Sequence, residues 1–137
     1  MALAFVVTLE KELSNPPAPV KGANGKAIAR ESDRLDSAAR RKSVEPPTAL
    51  LSESHAALIE QLKADGFDPS KMRLPAEKWF DAAQGLRTVR ALIEYVSANL
   101  NDFKQPNPIL RDLRGIESTL AAAESQGVRF HLTKVDV

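Results

Sequence analysis

A chain of 137 residues suits one domain and is too short for two of ordinary size. Hydrophobic residues supply 43% and charged residues 27%, enough apolar material for one core and too much for a chain disordered throughout. With 19 basic and 18 acidic residues the net charge is +1, so no long-range field gathers nucleic acid or an anionic membrane, and the absence of cysteine excludes disulfides, thiolate catalysis and Cys-built zinc sites.

Leu3, Phe5, Val7 and Leu9 alternate with Ala4, Val6 and Thr8, which predicts a strand over Ala4–Leu9 with two fairly apolar faces. A short amphipathic helix is the competing reading. The apolar run Ala2–Val7 lacks a basic flank and is broken by Glu10 and Lys11, so it suits neither a signal-peptide core nor a bilayer span. A soluble, cytoplasmic protein is expected.

Pro16, Pro17 and Pro19 predict a loop or polyproline-like arm across residues 14–23. The turn dipeptide Asn24-Gly25 then precedes a helix over Lys26–Lys42, with Ile28, Leu35 and Ala38 or Ala39 on one side. Arg30, Arg34, Arg40, Arg41 and Lys42 make the one basic cluster, interleaved with Glu31, Asp33 and Asp36. Asp36 and Arg40 have helical pair spacing, so this is a self-neutralised face. An RNA surface would need stacking aromatics or a loop signature, and neither accompanies it.

Pro46 and Pro47 open a second loop, across residues 43–51, and Ser52–Ala64 reads as a helix carrying Leu58, Ile59 and Leu62 with Gly66 as its stop. Asp68-Pro69 and Leu74-Pro75 each resemble a single helical turn. Asp81 and Gln84 have capping-box spacing ahead of a stripe formed by Leu86, Val89, Ile93, Val96 and Leu100. Gly85, inside that helix, permits close backbone packing. Asn107 is the expected cap of a further helix with Pro108 in its first turn, Leu110, Leu113, Ile116 or Glu117, and Leu120 on one side, and Gly127 at its end. These last two helices are expected to pack antiparallel.

After Gly127 the period becomes two. Val128, Phe130 and Leu132 alternate with Arg129, His131 and Thr133, a strand over Val128–Val135 with one buried and one polar face. The whole chain, 1–137, is thus expected to be a single α+β domain, with a small sheet of N- and C-terminal strands packed on about four helices. A two-stranded sheet is marginal alone. A third strand from Pro19–Ala23 or Ser43–Leu50, packing on the helical pair, or completion across a dimer are all open.

Trp79-Phe80-Asp81 followed by Gly85-Leu86-Arg87-Thr88-Val89-Arg90-Ala91-Leu92 resembles a segment of a group of small, uncharacterised bacterial proteins. The ending Gly127-Val128-Arg129-Phe130-His131-Leu132 looks like that of the same group. The resemblance covers roughly the last 60 residues. It implies a bacterial source and carries no activity and no functional residue.

His131 is the foremost candidate for chemistry, with Arg129 and Thr133 flanking it on the polar face as an anion site or acid–base cluster. A half-exposed strand row is the plainer reading. His55, near Glu53 and Glu60, lacks the spacing of a metal motif, so neither a metal nor a cofactor is expected. Trp79 and Phe80, with Phe67 upstream, either staple a loop onto the helices or anchor a partner; Phe103 has the same packing role, and Tyr95 marks a second contact surface. No phosphate loop, nucleophile elbow or paired-carboxylate motif is present. The expected function is a non-enzymatic protein-interaction or regulatory domain, binding a protein partner or a second copy of itself. The alternative is a small-ligand binder or enzyme built on His131.

Overall fold

The computed structural model of the chain describes residues 3–18, 20–52, 55–71 and 77–136. Strand β1 (Leu3–Leu9) leads to helices α1 (Lys26–Arg30), α2 (Ser32–Arg41), α3 (His55–Ala64), α4 (Ala82–Ala98) and α5 (Pro106–Ser125), and strand β2 (Phe130–Asp136) closes the order. The strands pair antiparallel from Leu3 opposite Asp136 to Leu9 opposite Phe130. The fold is α+β, with its sheet made from the two ends of the chain.

Helices α4 and α5 form the centre. Arg90 pairs with Glu117, while Gly85 lies against Leu120, so position falls along one helix as it rises along the other and the two run antiparallel. Leu86, Val89, Leu92 and Val96 meet Ile109, Leu113, Ile116 and Leu120 in one core with Phe5, Phe130 and Leu132 of the sheet. Each such side chain contributes about 1.5–3 kcal/mol by leaving water. A Cβ on Gly85 would stand 2.3 Å from Phe130 Cζ and 2.8 Å from Leu120 Cδ1, so only glycine lets α4 approach this closely. The stripe differs from the expected one at its end. Leu92 is buried in place of Ile93, and Leu100 is 46% exposed because the helix stops at Ala98 and Leu100 opens a 3-10 turn.

Two buried carboxylates explain other departures. Asp112 of α5 accepts the backbone N–H groups of Asn24, Ala27 and Ile28 at 2.9, 3.0 and 3.4 Å, the last two being orphan donors in the first turn of α1. Glu31, where the expected Lys26–Lys42 helix bends (φ −112°, ψ 29°), accepts the N–H groups of Lys104 and Gln105 at 2.7 and 3.0 Å. Those donors are held just ahead of α5, which begins at Pro106 with Gln105 as its cap and not at the expected Asn107. The end of α1 thus serves the start of α5, and α5 serves the start of α1.

Among the described residues Asp36 pairs with no arginine. Its buried carboxylate accepts from Thr48 N–H at 3.3 Å and Thr48 Oγ1–H at 2.6 Å, tying the second proline loop to α2. Asp81 occupies the N-cap of α4 but makes no side-chain capping bond. Gly66 and Gly127 follow α3 and α5 with φ of 84° and 67°, as stops. The Asp68-Pro69 turn forms at Pro69–Lys71, whereas Leu74-Pro75 lies outside the described residues. Among the described residues, no helix is long and apolar enough to cross a membrane.

Candidate functional site

Residues directly opposite in an antiparallel pair share a face. Leu9 with Phe130 and Val7 with Leu132 face the helical core, so Thr8 with His131 and Val6 with Thr133 face the other way. That second face is not the expected solvated row. His131 has 0% exposure and Thr133 is also buried. The cover is the segment before α4: Phe80 exchanges both backbone hydrogen bonds with Phe130 (2.7 and 2.9 Å), which lays Trp79 and Glu77 over His131.

Around the imidazole the groups form a series. His131 Nε2–H donates to Glu77 Oε2 at 2.5 Å, and the Trp79 ring lies 4.7 Å from the imidazole at a 45° tilt. Nδ1 faces the Leu132 carbonyl at 3.1 Å and the Thr133 hydroxyl at 3.3 Å, and that hydroxyl lies 2.6 Å from Thr8 Oγ1. Nδ1 either accepts from Thr133 or donates to the carbonyl, and the Thr8–Thr133 pair reverses direction to suit. No buried side-chain nitrogen or oxygen among the described residues lacks a partner.

Of the expected cluster, His131 and Thr133 come together and Arg129 does not. Arg129 is exposed and donates to Glu10 across the sheet. This hydrogen bond holds the Glu10 carboxyl below the usual carboxylate range and raises Arg129 in turn. The carboxylate that does reach His131 comes from an irregular segment 54 residues away, and no local spacing announces it.

The expected partner-binding aromatics all have contacts within the chain. Trp79 covers His131, and Phe80 packs on Phe130 with ring centroids 6.3 Å apart. Tyr95 accepts from Arg41 Nη1 at 2.9 Å, donates to Asp102 Oδ2 at 3.0 Å and stands edge-on to the buried Phe103. It borders a cleft of about 390 Å³ where Arg34 and Arg41 are balanced by Asp33 and Asp102. His55 opens α3, and its side chain lies outside the described residues. No group of His, Cys, Asp or Glu that could hold a metal ion occurs among the described residues.

The second site is the outer edge of β1. On β2, Phe130 bonds outward to Phe80, and the Leu132 carbonyl accepts Ser52 N–H at 2.9 Å. Their opposite numbers Leu9 and Val7, and by the same alternation Phe5, therefore aim their peptide groups away from β2. Phe5 N–H finds Gly25 O at 3.0 Å, so close that a Cβ on Gly25 (φ 79°) would meet Phe5 O at 2.1 Å. Beyond that single bond, residues 20–24 leave the strand. Val7 then borders a cleft of about 260 Å³ whose other walls include Val20, Ala23, Asp112, Ile116 and Thr119. Among the described residues, nothing meets Val7 N–H or C=O. Alternation of Val7 with its neighbours is plain in the sequence; the direction of its peptide group depends on the register with β2.

No family model matches the chain, and no curated protein or solved structure is similar to it.

Proposed function

We propose that this chain is a non-enzymatic protein-interaction domain that receives an extended segment of a protein partner along the outer edge of β1. The observation that carries this is the Val7 peptide group, a donor and an acceptor facing a cleft with no partner among the described residues. Backbone groups of this kind are satisfied by strand addition, where main-chain hydrogen bonds supply affinity and neighbouring pockets supply selectivity. The other rim of the sheet offers no equal: Phe80 and Ser52 already occupy it. Pairing of β1 with β1 of a second copy about Val7 would set Phe5 opposite the copy's Leu9, and Gly25 already fills the edge at Phe5. The partner is therefore a different segment.

Selection of displayed random heptapeptides on the full chain, followed by amide exchange, tests this. Selected peptides should slow exchange at the Val7 amide and lose binding to the Val7→Pro variant. Peptides that leave Val7 unchanged, or bind Val7→Pro equally well, overturn the proposal.

A second reading draws on the order Thr133 hydroxyl, His131 imidazole, Glu77 carboxylate, the sequence of groups in a nucleophile–base–orienter relay. It makes the chain a small-ligand binder or hydrolytic enzyme, with Arg129 at the rim of the same face. Hydrolysis of an activated ester such as p-nitrophenyl acetate, abolished in His131→Ala, would support it. Turnover unchanged in that variant would end it.

A further inference from the structure

We infer that the segment received by β1 lodges a neutral aliphatic side chain in the cleft beside Val7; this rests on the docking edge proposed above. Two polar side chains in the walls of the cleft, Asp112 and Thr119, are already engaged. The Asp112 carboxylate, 3% exposed, takes three backbone N–H groups, and Thr119 Oγ1–H donates to the Gly115 carbonyl at 3.2 Å. The Val7 peptide group is unanswered among the described residues and stands beside apolar wall from Val20, Ala23 and Ile116. A ligand that matches this surface has one amide donor and one amide acceptor, with hydrocarbon next to them. That is a residue of an extended peptide with an aliphatic side chain.

Size and charge point the same way. About 260 Å³ lies below the roughly 300–1,000 Å³ of pockets that enclose whole small molecules, and suits one side chain. An acidic side chain would be repelled by Asp112. A basic one gains little, because the carboxylate is already answered by its three donors. The far wall is held in place: a Cβ on Gly115 would stand 3.0 Å from Ala23 Cβ, so the 20–24 loop lies directly on α5. Pockets fixed in advance discriminate better, because less ordering accompanies binding.

The probes are capped pentapeptides Thr-Val-X-Val-Thr with X as leucine, alanine or aspartate, titrated into the full chain and followed by amide spectra. All shifts should include Val7. The leucine peptide should bind at least about tenfold tighter than the alanine peptide, and the aspartate peptide weakest. In Thr119→Leu, which fills the cleft, the leucine advantage should vanish while the alanine peptide binds as before. If that variant is misfolded by its spectrum, the wild-type series decides alone. Equal affinity for leucine and alanine with Val7 still shifting overturns the side-chain pocket and leaves the docking edge standing. No shift at Val7 with any peptide overturns both. N-methylisovaleramide binding as tightly as the leucine peptide, in wild type and Val7→Pro alike, overturns the inference in favour of a small-ligand site.

Discussion

Glu77 Oε2 and His131 Nε2 lie 2.5 Å apart, across 54 residues of chain, and this contact joins the Phe80–Phe130 backbone pair in holding the irregular approach to α4 over the sheet. Removing it leaves a buried imidazole N–H without its acceptor. Glu77→Ala should lower stability by about 1–3 kcal/mol, and Glu77→Gln, which keeps an acceptor oxygen, by less. Urea denaturation of the three proteins gives the order; equal stability of Glu77→Ala and wild type would show the contact to be idle.

Neighbouring residues of β1 should respond oppositely to proline. Val7 N–H faces outward and meets no acceptor among the described residues, so Val7→Pro should retain a cooperative transition close to wild type. Thr8 N–H belongs to the ladder opposite His131, and its hydroxyl meets Thr133. Thr8→Pro should cost about 3 kcal/mol or more. Thermal melts that rank the two the other way round would reverse the assigned direction of the edge.

How much of this was legible follows from what each signal depends on. Phe130 and Leu132 were visible as core because a period of two needs only the strand itself, and the α4–α5 stripes needed only helical spacing. His131 looked solvated for the same reason. Its cover, residues 77–80, is aperiodic and arrives from elsewhere, so alternation alone counts the second face as exposed. The missed roles of Asp112, Glu31 and Asp36 share a cause: each carboxylate caps backbone that is distant in sequence, whereas capping and pairing rules look only a few residues away.

At Gly85 two effects compete. Alanine raises helix propensity by up to about 1 kcal/mol, but its methyl would enter the van der Waals shell of Phe130 and Leu120, both fully buried. Overpacking of a closed core costs about 1–3 kcal/mol. Gly85→Ala should therefore be destabilising on balance, as a lowered Tm; a raised Tm would mean that the α4–α5 contact yields.

The Glu10–Arg129 pair should add an acid dependence to the stability of the fold. Its hydrogen bond depresses Glu10 in the folded chain, so the stabilisation is complete above the unfolded carboxyl value of about 4.3 and is lost as pH falls through the lower folded value. Glu10→Gln should melt below wild type near neutrality, and the gap should close in acid. A gap that persists unchanged at strongly acid pH would assign the effect to something other than ionisation.

The hydroxyls of Thr8 and Thr133 touch across 125 residues, so the sheet joins a segment that is synthesised early to one that is synthesised much later. At ribosomal rates β1 waits roughly ten seconds for β2 to emerge. During that interval the rim that β2 will cover is bare and within reach of any strand in the cell. When β2 finally arrives it seals one rim along its length, while among the described residues the other is closed at Phe5. A nascent chain is thus sticky along β1, and the finished protein keeps a remnant of that stickiness on the outer rim, Val7 included.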